Sequence, residues 1–208
     1  MHGILTFGDS IVFGRGEKPG TGWVGRLKNY FEEQDFYHAV YNMGIPGDTT
    51  SDLLARFEIE SKSRIHYFHT GDKYIIMFGI GTNDARCINN PENHQTEPDK
   101  FRKNIISLIS KAKKHTKNIV FIGLLPVDES ITNPYEDTYF TNKLQKQYND
   151  IIKECCKQEN IEFIDLFDDW INIDYKVLLD DGLHPNSEGY EKMYEQIKEF
   201  LVEKEMIE

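Results

Sequence analysis

Cysteine is scarce in this sequence. Only Cys87, Cys155 and Cys156 occur in 208 residues, an odd count with two adjacent, so no disulfide framework is expected. Positive charge is also short: 24 Lys and Arg stand against 35 Asp and Glu, a formal net charge of −11. A nucleic-acid partner needs a basic surface, and so does docking on anionic lipid; neither is expected here. No stretch reaches the ~18 consecutive apolar residues of a membrane span. The N-terminal "MHGILTFGDS" lacks the basic region and long apolar run of a secretory signal, so a reduced, cytoplasmic protein is the expectation. Repeats, low-complexity tracts and Pro/Ser linkers are missing too, and the length suits a single domain over residues 1–208.

What is present is apolar material in short blocks. Hydrophobic residues make up 39% of the chain, and 13 Phe and 11 Tyr give it an aromatic-rich core. Candidate strands run over 4–7, 39–41, 74–78, 119–124 and 161–164. Three of them (4–7, 74–78 and 119–124) are apolar nearly throughout, as in a parallel sheet covered on both faces. Between the strands lie helical stripes. One is Trp23, Val24, Leu27, Tyr30 and Phe31. A second is Phe101, Ile105, Leu108, Ile109 and Ala112. A third is Phe140, Leu144, Tyr148, Ile151, Ile152 and Cys155. The last is Tyr190, Met193, Tyr194, Ile197, Phe200 and Leu201, with Asn186 or Ser187 placed to cap it. A weaker pattern covers 49–57. Five rounds of strand and helix predict a three-layer α/β/α sandwich with a mainly parallel sheet.

In such sheets ligands bind beyond the carboxyl ends of the strands. The segments there read "GDS", "NMGIPGDTT", "GIGTND" and "LPVDES". Late in the chain, "LLDDGLHPNSEGY" puts Asp181 three residues before His184 on a loop broken by Gly182 and Pro185. A carboxylate so placed can fold back onto the imidazole Nδ1–H and leave Nε2 as a base. The base needs a nucleophile, and Ser10, at the end of the first strand, is the candidate. Donors for a developing oxyanion would be the Ser10 N–H, a glycine N–H from the second segment (Gly44 or Gly47) and the Asn83 side-chain amide.

Four blocks, "GDSI", "NMGIPGD", "GTND" and "DGLHPN", resemble those of the SGNH hydrolases, the GDSL lipase/esterase family, in the family's order from residue 8 to residue 189. The resemblance implies a five-stranded flavodoxin-like sheet and a carboxylic ester hydrolase working through an acyl-enzyme. It also implies Ser10 as nucleophile, His184 as base, Asp181 as its partner, and Gly47 (over Gly44) and Asn83 as oxyanion donors. Ile11 stands where the family usually has Leu. No metal or organic cofactor is implied.

Each block has a plainer reading. Ser10 alone could be a helix N-cap, Asp9 a turn residue, Asn83 part of an Asx-turn, and the glycines simple turn formers. His66 and His69 lack companion ligands at zinc spacing and read as surface histidines. Lys111, Lys113, Lys114 and Lys117 read as a solvated helix end. Segments 15–22, 86–98 and 126–138 are expected to shape the pocket, the first as a mobile Gly-rich loop. Their polar character leans toward a small soluble or carbohydrate-linked ester. An acyltransferase with the same triad, and a non-catalytic flavodoxin-like binding domain, are the competing functions.

Overall fold

In a computed structural model, which describes residues 2–66, 68–69 and 71–207, the five apolar runs pair into one sheet. The strands are β1 (His2–Gly8), β2 (Ala39–Gly44), β3 (Lys73–Gly79), β5 (Ile119–Ile122) and β7 (Glu162–Ile164). Every pairing among them is parallel, in the order β2-β1-β3-β5-β7. Counting sheet strands alone, this is the 2-1-3-4-5 order of the flavodoxin-like fold, with β1 and β3 flanking the point where the winding reverses.

The pleat sorts β1 onto two cores. Ile4 joins one with Val12, Trp23, Leu27, Trp170, Tyr190 and Ile197. Leu5 and Phe7 join the other with Leu53, Phe57, Phe101, Leu108, Tyr148 and Ile152. On this second face a row of rings crosses the sheet in register. Phe7 opposes Phe78, and Phe78 opposes Phe121, with centroids 5.9 and 4.6 Å apart. All three are fully buried, each contributing roughly 1.5–3 kcal/mol by removal from water.

The helices cover the two faces as the stripes require. Helices α2 (Gly22–Glu32) and α8 (Ser187–Glu203) lie on the Ile4 side, together with α7 (Leu166–Trp170). Helices α3 (Thr50–Ile65), α4 (Pro98–Ala112) and α6 (Asn142–Glu159) lie on the Phe7 side. Helix α3 runs well past the 49–57 expected, and starts on a capping box between Thr49 and Asp52. Asn186, not Ser187, caps α8, its side chain accepting the Gly189 N–H. Phe140 falls just ahead of α6, which Thr141 caps.

Shorter elements gather at the carboxyl ends of the strands. They are α1 (Ser10–Phe13), α5 (Glu129–Thr132), a 3₁₀ turn at Tyr175–Leu178, and an antiparallel pair of β4 (Cys87–Ile88) with β6 (Thr138–Tyr139). That pair ties segment 86–98 to the end of segment 126–138. The three cysteines are free, in keeping with the expected lack of a disulfide framework, and all are buried. Among the described residues, no helix is long and apolar enough to cross a membrane.

Candidate active site

Strand β1 ends at Gly8 and the chain turns at once into α1. Asp9 is the N-cap, its Oδ1 accepting the Ile11 N–H at 3.0 Å. Ser10 is therefore the first helical residue and not the cap, which leaves its hydroxyl uncommitted to the backbone. Asn42 of β2 fastens this corner by donating to Val12 O and accepting from Gly44 N. Gly44 is needed for contact: a Cβ there would sit 2.3 Å from the Phe13 N and 2.8 Å from Asp9 O. It lets α1 lie directly on the end of β2.

His184 arrives from the far end of the sequence. Its Nε2 lies 2.9 Å from Ser10 Oγ, and its Nδ1 lies 2.7 Å from Asp181 Oδ2. Asp181 Oδ1 also accepts the backbone N–H groups of Leu183 and His184, at 3.0 and 2.8 Å. Partial burial works against ionising Asp181, but the ring and backbone donors outweigh it and hold the carboxyl down at about 2. With Asp181 charged and facing Nδ1–H, Nε2 is the acceptor for the Ser10 hydroxyl. The loop is pinned by Asp180 N–H to His184 O and by Asp128 N–H to Gly182 O.

The three candidate donors converge on the same cleft, an opening of about 500 Å³ that Ser10, Gly47, Asn83, Asp181 and His184 all line. Gly47 has φ +90 with open space where a Cβ would stand, so its glycine is required by the backbone turn alone. Of the two glycines left open by the sequence, only Gly47 reaches the cleft; Gly44 packs beneath it. Asn83 donates one amide hydrogen to Asp48 O at 3.0 Å, which orients the group and leaves its second hydrogen. Among the described residues, nothing accepts the Ser10 or Gly47 N–H.

Residues that the motif reading passed over hold these parts in place. Asp84, fully buried, accepts the Thr50 N–H and hydroxyl at 2.8 and 2.6 Å, locking the Asn83 turn to the start of α3. Burial pushes its carboxyl up from the usual range. Arg56 donates to Asp48, to Met43 O and to Gly8 O, so one guanidinium ties the ends of β1 and β2 to the Gly47 loop. The available signal was an arginine eight residues after Asp48 on a helix, which is too common to notice.

Segments 86–98 and 126–138 supply cleft walls as expected, through Arg86, Thr132, Tyr135 and Glu136; 15–22 supplies Arg15. That first segment is not a loose loop. Glu17 accepts from Thr21, Gly22, Arg26 and Ser187, and Tyr190 donates to Arg15 O. Asp9 is absent from the cleft lining and instead lines a small cavity of about 20 Å³ with Trp23 and Met193. Burial pushes its carboxyl up to about 7, against the pull of the Ile11 N–H and the charge of His184.

The sequence pattern of the GDSL-like lipase/acylhydrolase family matches residues 6–192, nearly the whole chain. The chain belongs to this family. It is thereby a GDSL-type carboxylic ester hydrolase. An arylesterase of Vibrio mimicus is 24% identical over 96% of this chain and 88% of its own. The lipoprotein YqeF of Bacillus subtilis, itself uncharacterised, is 24% identical over 84% of this chain and 77% of its own. The crystal structure of a lipase/acylhydrolase from Enterococcus faecalis superimposes with a TM-score of 0.73 at 24% identity, covering 98% of this chain and 97% of that one. The GDSL fold is thus shared over the full length.

Proposed function

We propose that this GDSL hydrolase cleaves small carboxylic esters through an acyl-enzyme on Ser10. The observation that carries the reading is the continuous relay Ser10 Oγ, His184 Nε2, His184 Nδ1, Asp181 Oδ2, with steps of 2.9 and 2.7 Å. His184 takes the hydroxyl proton as Ser10 attacks the ester carbonyl. Asp181 keeps the ring oriented and stabilises the imidazolium. The tetrahedral oxyanion is held by the Ser10 N–H, the Gly47 N–H and the second Asn83 amide hydrogen, the three donors without a described acceptor. His184 returns the proton to the departing alcohol. It then activates water, and attack on the acyl-Ser10 ester releases the acid.

The cleft is open, with Arg15 and Tyr135 exposed at its walls. Such an opening gives water access to an acyl-enzyme on Ser10.

The test is active-site labelling with a fluorophosphonate, run beside hydrolysis of 4-nitrophenyl acetate. Wild type labels at Ser10 and releases nitrophenolate; Ser10→Ala does neither and melts at the wild-type temperature. A folded wild type that resists the probe and releases no nitrophenolate would favour the binding-domain reading.

A further inference from the structure

The arginines of this chain divide into two groups. There are six. Arg26 bonds Glu17 and Glu191; Arg56 bonds Asp48 and Glu60; Arg64 bonds Glu60 O; Arg102 bonds Glu154. The other two, Arg15 and Arg86, have no side-chain hydrogen bond or ion pair with any described residue. Both line the Ser10 cleft. In a chain with eleven more acidic than basic groups, carboxylates are plentiful, so two unpaired guanidiniums lining one cleft are not for want of partners.

Arg86 is the more informative. Its Nε is sealed from solvent and has no acceptor. A buried donor left unmade costs roughly 1–3 kcal/mol, more for a charged group. Its backbone is firmly placed: the carbonyl accepts the Gln95 N–H at 2.9 Å, and Cys87 beyond it bridges to His94 and pairs with Tyr139. It also follows directly on the turn that presents Asn83, so it borders the carbonyl-binding end of the cleft. The negative groups there are Asp181, already engaged by His184, and the exposed Glu136. Neither is bonded to Arg15 or Arg86.

An anion is the ligand that this arrangement lacks. A guanidinium offers a planar fork that matches a carboxylate or phosphate, and charge-assisted bonds to it are about twice as strong as neutral ones. Resting on the hydrolase reading above, we propose that the substrate is an anionic ester, bearing a carboxylate or phosphate that Arg86 grips and Arg15 draws in. Both arginines are then specificity determinants of the Ser10 site. Arg86 acts by direct contact, and Arg15, being exposed, acts mainly through its field.

The experiment compares kcat/KM for matched esters. On the acyl side, 4-nitrophenyl hemisuccinate is set against 4-nitrophenyl butyrate. On the alcohol side, 4-acetoxybenzoate and 4-acetoxyphenyl phosphate are set against 4-acetoxybenzamide. At least one anionic ester should exceed its neutral match by about 10–100-fold at low salt, with KM rising as salt is added. Arg86→Gln and Arg86→Lys should lower that ratio at least tenfold, Lys because it keeps charge but not the fork; Arg15→Gln should lower it less. Which arm responds tells carboxylate from phosphate and acyl from alcohol. Equal rates for every pair, or a ratio untouched by the folded Arg86 variants, would overturn the proposal. If no ester is turned over at all, the hydrolase reading fails alone. Calorimetry with succinate and inorganic phosphate then decides the arginines: binding that weakens in Arg86→Lys supports them, and no binding, or binding indifferent to the change, refutes them.

Discussion

Asp181 holds His184 at two points. One carboxylate oxygen takes the backbone N–H at 2.8 Å and the other takes Nδ1 at 2.7 Å. The ring is therefore fixed in place by the same group that sets its tautomer. Asp181→Asn keeps an acceptor for the backbone but can offer an N–H to the ring, inviting the wrong tautomer. In enclosed triads that change costs about 10⁴-fold in kcat. Here half of the Asp181 side chain is exposed, so water can stand in. A loss of roughly 10²–10⁴-fold in kcat is expected, with an unchanged circular dichroism spectrum. A loss under tenfold would remove Asp181 from the relay.

Gly47→Ala isolates the proposed backbone donor. Nothing lies within 4 Å of the added Cβ, so the change acts only through φ +90, which costs an L-residue roughly 1–2 kcal/mol. The loop relaxes and its N–H swings away. Steady-state kinetics should show kcat down by about 10²-fold with KM little altered, the pattern of a donor used only in the transition state.

Asp9 gives the fold a pH dependence of its own. Its carboxyl is raised from 3.8 to about 7 by burial, so the native state prefers it neutral. Stability from this group is full below about pH 4, where both folded and unfolded chains hold the proton, and is lost as pH rises through about 7. Asp9→Asn keeps an oxygen for the Ile11 N–H and never ionises. Melting curves should show the variant gaining on wild type between pH 5 and about 8. Parallel curves across that range would mean that Asp9 titrates normally.

Glu17 works with the opposite sign. Arg26 foremost, with Ser187, Gly22 and Thr21, holds its carboxyl down at about 2 from 4.5. Its contribution is present above about pH 4.5 and disappears as pH falls through 2. The Glu17 side chain is only 7% exposed, so Glu17→Gln should cost about 1–3 kcal/mol by urea titration at pH 7 and much less at pH 2. Because Glu17 anchors the segment that carries Arg15, turnover should fall more steeply with temperature in the variant.

The sheet and the Asp181–His184 contact were legible because each rests on a local signal. Apolar runs such as 74–78 declare a buried strand, and Asp181 to His184 is a short-range contact written in one loop. The 174-residue reach from Ser10 to His184 was legible only through the order of the four family-like blocks, since Ser10 ends a strand but His184 sits on the loop ahead of α8. What stayed hidden is long-range and polar. Nothing local in "LLARFE" says that Arg56 will touch Gly8 O, and nothing in "DARC" says that Arg86 will find no acceptor. The β4–β6 pair was equally invisible, since two residues per strand leave no periodicity to read. The expected looseness of 15–22 was an inference from glycine content that ignored Glu17, whose partners come from α2 and α8.

Arg56 binds the Gly8 carbonyl just ahead of Asp9-Ser10, the Met43 carbonyl of β2 and the Asp48 side chain beside Gly47. The proposed nucleophile and the proposed oxyanion donor thus keep their separation through a bracket anchored in α3, a helix that contributes no residue to the cleft. Changes on that helix can tilt the bracket and retune the rate with every cleft residue intact. An activity screen of this protein would therefore return α3 positions that no inspection of the cleft would choose.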